Sequence, residues 1–128
     1  LQELSTVKQY RLPVKIFILN NKYLGMVRQW QEFFHGGRYS ESYTDSLPDF
    51  VKLAESYGIK GVRATQPEDL EKVITDMINF DGPVIADICV DEKENVFPMI
   101  PSGAAHNEMK LKDSDNIATS TKEGKMLV

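Results

Sequence analysis

The chain has 128 residues, 41% hydrophobic and 27% charged, which suits one globular domain and is too apolar for a largely disordered segment. Its 15 Lys and Arg against 19 Asp and Glu leave a net charge of -4, which argues against a broad nucleic-acid-binding surface or a polybasic membrane anchor. A single cysteine, Cys89, excludes an internal disulfide, no Cys/His spacing resembles a zinc site, and no apolar run is long enough to span a bilayer; the expectation is a soluble, intracellular protein.

The first residue is Leu1 and LQELSTVKQY already reads as helix, with Leu1, Leu4, Val7 and Tyr10 at helical spacing, so the chain is expected to begin within a domain. Pro13 ends that pattern. VKIFIL, residues 14–19, is apolar on both faces, which predicts a central parallel strand covered by helices on each side. Asn20 and Asn21 close it. Tyr23, Met26, Val27, Trp30, Phe33 and Phe34 then fall on one face of a predicted amphipathic helix over residues 23–34. Residues 35–46, HGGRYSESYTDS, read as a loop. Ser46 and Asp49 resemble a capping box opening a helix that carries Leu47, Phe50, Val51, Ala54 and Tyr57, with Gly58 as its C-terminal stop. A short strand over 61–65 leads to a second capping box, Thr65 and Glu68, and a helix with the stripe Leu70, Val73, Ile74, Met77 and Ile78. DGP turns into the buried strand VIADICV, residues 84–90. Alternating strands and helices predict an α/β fold, a three-layer parallel sheet with helices on both faces.

Open α/β sheets bind ligands at the carboxyl ends of their strands, where Asn20 and Asn21 lie. An Asn oxygen there suits a hard cation such as Mg²⁺, although the pair alone reads more often as a turn and supplies no carboxylate. Met26 and Trp30, four residues apart, suit either an apolar pocket or plain core, and the pattern favours core. His35 beside two glycines reads as a solvated loop histidine. Ser102 with His106 lacks the G-x-S-x-G elbow of a hydrolase, and Cys89 reads as a packed strand thiol.

LNNKYLGMVRQW, residues 19–30, taken with GIKGVRATQPEDLEKVI, GPVIADICV and VFPMIPSGAAHNEM, resembles the C-terminal thiamine-diphosphate-binding domain of acetolactate synthases (acetohydroxyacid synthases), and more widely the thiamine-diphosphate decarboxylase family. The resemblance covers nearly the whole chain up to Met109. It implies the thiamine-diphosphate-binding fold, incomplete at the N-terminus, with residues 1–110 the C-terminal part of that domain and 111–128 a flexible tail. It implies decarboxylation of pyruvate and ligation to a second pyruvate or to 2-oxobutyrate, on the way to isoleucine, valine and leucine. The implied cofactors are thiamine diphosphate and Mg²⁺, with FAD in the full-length family.

Residue by residue, the resemblance makes Asn21 a Mg²⁺ ligand through its side chain and Tyr23 one through its main-chain carbonyl. Gly25 and Met26 match positions next to the cofactor's aminopyrimidine. Met26, Val27, Trp30, Ser102 and Gly103 match a channel that takes the second 2-oxo acid and that sulfonylurea and imidazolinone herbicides enter. The motif's opening Gly-Asp-Gly would lie upstream of Leu1 and the activating Glu in another domain, so no catalytic residue is assigned here and the chain by itself is expected to be an inactive fragment. Implied partners are further copies of the full-length chain, as homodimer or homotetramer, and a small regulatory subunit, with neither nucleic acid nor membrane. The implied location is the cytoplasm of a bacterium or an organelle of a eukaryote. The alternatives are another thiamine-diphosphate-dependent 2-oxo acid decarboxylase, oxidase or carboligase, and a non-catalytic α/β interaction module.

Overall fold

A computed structural model describes residues 1–112; residues 113–128, and with them most of the expected tail, lie outside the described residues. The elements in chain order are α1 (Glu3–Gln9), β1 (Lys15–Asn20), α2 (Gly25–Phe34), α3 (Phe50–Ser56), β2 (Lys60–Ala64), α4 (Pro67–Asn79) and β3 (Val84–Cys89), followed by a single 3-10 turn at His106–Glu108. They gather into two compact units. One comprises Leu1–Asn21 and Ser46–Asp91, the other Lys22–Asp45 and the described residues from Glu92 onward. No described helix is long and apolar enough to cross a membrane.

In the first unit the strands pair in parallel in the order β1-β3-β2. Successive residues of β3 point to opposite faces, and each face has its own apolar cluster. Val84, Ala86 and Ile88 pack with Ala64 of β2 and Met77 of α4. Ile85 packs on the other side with Leu4 of α1, Ala54 of α3 and Ile59. This is the three-layer arrangement that the alternation of elements predicts. Among the described strands, however, the central one is β3 and not β1. In register Phe17 lies beside Ala86 and Leu19 beside Ile88, on the face that α4 covers over β2 and β3, and both remain exposed. An apolar run is compatible with either position, so sequence pattern could not distinguish them.

Both predicted capping boxes move. Asp49, not Ser46, caps α3: its carboxylate accepts from the amides of Val51 at 3.0 Å and Lys52 at 3.2 Å. A charged oxygen serving two orphan donors outweighs the hydroxyl three residues earlier. Helix α4 starts after Gln66, which makes no side-chain cap, because Pro67 takes the first helical position and holds the residue before it extended. At Gly61 an added Cβ would meet the Val51 Cα and carbonyl oxygen at 2.8 Å, so glycine is what lets α3 lie against β2.

The second unit is built around α2. The predicted apolar face does not turn inward as a whole. Phe33 and Phe34 are buried, but so are Arg28 and Gln29, while Met26, Val27 and Trp30 stay exposed. The Phe33 ring packs on Phe97 with centroids 5.8 Å apart, and Trp30 meets Phe34 edge to face at 5.1 Å.

Candidate functional site

Strand β1 ends at Asn20, and its neighbour Asn21, half-buried, closes that stretch of the first unit. The Asn20 carbonyl accepts from the Val90 amide at 3.1 Å, and its side-chain amide donates to Asp87 Oδ1 at 2.9 Å. The two asparagines are thus not equivalent: the first is tied into the sheet.

The second unit begins with Lys22, whose φ of 58° lies in the left-handed region. Tyr23 then pairs with Tyr43 in an isolated antiparallel bridge. The hydrogen bonds of that bridge run from the Leu24 amide to the Ser42 carbonyl and from the Thr44 amide to the Lys22 carbonyl, each at 2.8 Å, so the bridge is closed by the groups on either side of Tyr23 and not by its own N–H or C=O. Lys22 also pairs with Glu92 at 2.8 Å. Gly25 opens α2, and Met26, Val27 and Trp30 follow on its outer side.

Those three side chains line a cavity of about 560 Å³, with Gln31, His35, Arg38 and Ser40 completing its wall. The apolar part comes from the helix and the polar part from the loop after it. Gln31 donates from Nε2 to the Ser40 carbonyl at 2.8 Å, which holds its Oε1 buried without a donor. Pattern alone favours Met26 and Trp30 as core and His35 as a solvated loop residue; the structure places all three on this cavity. Helical spacing shows which residues share a face but not whether that face meets protein or an opening. Gln31, Arg38 and Ser40 were missed because they become neighbours only when residues 35–40 fold back beside the helix.

Ser102 and Gly103 are not brought to the cavity. They sit exposed in a turn closed by the bond from the Ala104 amide to the Pro101 carbonyl, with Gly103 at a φ of 77°, and the flanking chain is pinned by the bridge between Met99 and Lys110.

Beneath the cavity's helix a polar network replaces ordinary core. Arg28, 6% exposed, pairs with Glu32 at 2.9 Å, donates to the Lys93 carbonyl and to Asn95 Oδ1, and lies between the Tyr23 and Tyr39 rings at 5.5 and 5.4 Å from their centroids. Gln29 donates to the Val96 carbonyl at 3.1 Å and accepts from its amide at 2.7 Å. Loss of water, and then the nearby Glu32 carboxylate, hold the Tyr39 hydroxyl above its usual pKa. The Arg28–Glu32 spacing of four residues was a visible signal; burial of Arg28 was not.

Among the described residues there is no group of three or more His, Cys, Asp or Glu able to hold a metal ion. What this chain offers at the end of β1 is neutral oxygen, from Asn21 and from main-chain carbonyls. That donor set fits a hard cation completed by ligands from outside the described residues, and does not fit a metal centre made by the described residues alone.

The sequence model of the thiamine pyrophosphate enzyme C-terminal TPP binding domain matches residues 1–88, which include Asn21, Tyr23, Gly25, Met26, Val27 and Trp30. The chain belongs to that family. Similar curated proteins are the acetolactate synthase large subunit of Haemophilus influenzae, 49% identical over 112 residues, and the acetolactate synthase isozyme 2 large subunit of Escherichia coli, 47% identical over 108 residues. These matches cover 87% and 84% of this chain and 20% of each relative, so the chain spans about a fifth of their length. Among solved structures, a thiamine diphosphate-dependent 4-hydroxybenzoylformate decarboxylase of Rhodococcus jostii matches with a TM-score of 0.63 and 28% identity, over 71% of this chain and 17% of that one. As a member of the thiamine pyrophosphate enzyme family, the chain carries a parallel sheet of the TPP-binding fold, with Asn20 at the end of β1.

Proposed function

We propose that this chain is part of an acetolactate synthase large subunit, contributing one wall of the site where thiamine diphosphate, Mg²⁺ and the 2-oxo acids meet. The observation that carries this reading is the 49% identity over 112 residues to a protein of that name, a longer stretch than the 88 residues of the family match, so the similarity runs on into the proline-rich segment. When bound, thiamine diphosphate supplies the carbon nucleophile and the electron sink for decarboxylating pyruvate. Asn21 would hold Mg²⁺ through its side-chain oxygen and Tyr23 through its main-chain carbonyl, so anchoring the diphosphate; Gly25 and Met26 would border the aminopyrimidine. Met26, Val27 and Trp30 exclude water and shape the space for the second pyruvate or for 2-oxobutyrate, which favours ligation over release. Ser102 and Gly103 belong to a segment that closes over this channel in the assembled enzyme. FAD, further copies of the full-length chain and a small regulatory subunit complete the assembly; the large-subunit names of the relatives support the last of these. The location is the cytoplasm in a bacterium and an organelle in a eukaryote.

The test is product analysis on the full polypeptide that carries this chain, given pyruvate with thiamine diphosphate and Mg²⁺. Mainly 2-acetolactate is expected. Free aldehyde or an oxidised acyl product would instead favour a decarboxylase or oxidase of the same family, the reading that the similarity to the Rhodococcus jostii decarboxylase supports. In the same polypeptide Trp30→Ala should lower the preference for 2-oxobutyrate over pyruvate in competition, and an unchanged product ratio would remove Trp30 from the acceptor site.

A further inference from the structure

The proposed function leaves the buried carboxylate of Asp87 unused. Asp87 is 2% exposed in the middle of β3, a strand otherwise made of Val84, Ile85, Ala86, Ile88 and Cys89. A carboxylate in such a place is costly unless its oxygens are met by donors. Here the donors come from both neighbouring strands. Asn20 Nδ2 of β1 lies 2.9 Å from Oδ1, and Arg63 Nε of β2 lies 2.9 Å from Oδ2. The register explains why. Asp87 is level with Ile18 and Arg63, and Asn20, two residues beyond Ile18, shares the same face. Arg63 reaches on to Asp49 Oδ1 at 2.9 Å, the oxygen that caps α3. One carboxylate therefore ties together the carboxyl-terminal halves of three strands and the start of a helix.

The consequence falls on the Asn20–Asn21 peptide. Its carbonyl oxygen is held by the Val90 amide at 3.1 Å, while the Asn20 side chain is held by Asp87, so both the plane of that peptide and the rotamer of the residue before it are set by β3 and the residue that follows it. Asn21 leaves the strand in the direction this peptide imposes. We propose that Asp87, acting through Asn20, is a positioning residue for the metal end of the cofactor: it fixes the turn from which Asn21 addresses the cation, without touching the cation itself. The inference rests on the Mg²⁺ role given to Asn21 above.

The experiment is a Mg²⁺ titration of the full polypeptide carrying this chain, at saturating thiamine diphosphate, followed by calorimetry, with thermal unfolding of the cofactor-free protein measured alongside. Asp87→Asn and Asn20→Ala are compared with Asn21→Ala. The expected result is a rise in the Mg²⁺ Kd of about tenfold or more in both positioning variants, the scale typical of losing a residue that orients a metal ligand, with thiamine diphosphate binding restored by excess Mg²⁺. Weakening by Asn21→Ala together with Mg²⁺ affinities within about twofold of the parent in Asp87→Asn and Asn20→Ala would overturn the positioning role alone, including where the unfolding temperature falls. Unchanged affinity in Asn21→Ala would remove Asn21 as a ligand and overturn both readings. If Asp87→Asn does not fold, Asn20→Ala decides by itself, since it deletes a single side chain at a half-buried strand end.

Discussion

The two units hold themselves together by different means. In the first, apolar clusters on both faces of β3 carry the packing, and the polar side chains of Asp87, Arg63 and Asn20 are confined to the carboxyl-terminal half of the sheet. In the second, the helix bearing the cavity is fastened from below by Arg28, Gln29, Glu32 and Asn95, with two tyrosine rings against the guanidinium. Apolar burial is non-directional and tolerant, whereas a buried polar network demands its partners in place. The comparison teaches that the helix lining the cavity gains its orientation from hydrogen bonds, leaving its apolar residues Met26, Val27 and Trp30 to face an opening.

The sharpest way to break this comparison is Arg28→Ala in the second unit. It leaves the half-buried Glu32 carboxylate and Asn95 without their cation and should cost about 3 kcal/mol, the upper end for hydrogen bonds to charged groups, read as faster hydrogen exchange along α2. A loss under about 1 kcal/mol, the usual range for surface pairs, would mean the unit does not depend on its polar network. The matching change in the first unit is Ile85→Ala, expected to cost about 2–3 kcal/mol by opening a cavity between Leu4, Ala54 and Ile59, with exchange rising in β3 and its neighbours while α2 is left unchanged. Accelerated exchange in α2 would show that the two units open together. Smaller still is Gly61→Ala, whose Cβ meets α3 backbone at 2.8 Å; about 1–2 kcal/mol is expected, concentrated in α3 and β2.

The smallest effect is pH dependence at the α3 cap. Amide bonds, that of Lys52 foremost, and the nearby Arg63 guanidinium hold the Asp49 carboxyl below the usual carboxylate range. A depressed folded-state pKa means that the cap's contribution is complete above the ordinary carboxylate pKa and is lost as pH falls through the folded value. The difference in α3 exchange between the parent and Asp49→Ala should therefore be constant near neutrality and shrink in strong acid. A difference that grew on acidification would reverse the sign of the linkage.

Much of this organisation was legible in residues alone. Strand-like VKIFIL and VIADICV are short, mostly apolar runs and the stripe from Leu70 to Ile78 has helical period, as burial on both faces of a sheet and on one face of a helix requires, so the order of elements and the layered architecture follow from them. The Asn20–Asn21 pair at a strand's carboxyl end was equally visible. Less legible were details set by competition among neighbours: the cap passed from Ser46 to Asp49 because a carboxylate reaches two amides, and β3 rather than β1 is central among the described strands because strand order leaves no mark on hydrophobicity.

What the sequence by itself determined is the local alternation of helix and strand, the family resemblance and the residues that share a helical face. Tertiary structure alone decided that Asp87 stands level with Arg63 and within reach of Asn20, that Arg28 and Gln29 face inward, and that Met26, Val27 and Trp30 line an opening with Gln31, His35, Arg38 and Ser40. The reason is physical. Periodicity records which side chains share a face within one element, but strand order, register and the return of a loop are relations between elements, set by packing and by the pairing of polar groups distant in the chain.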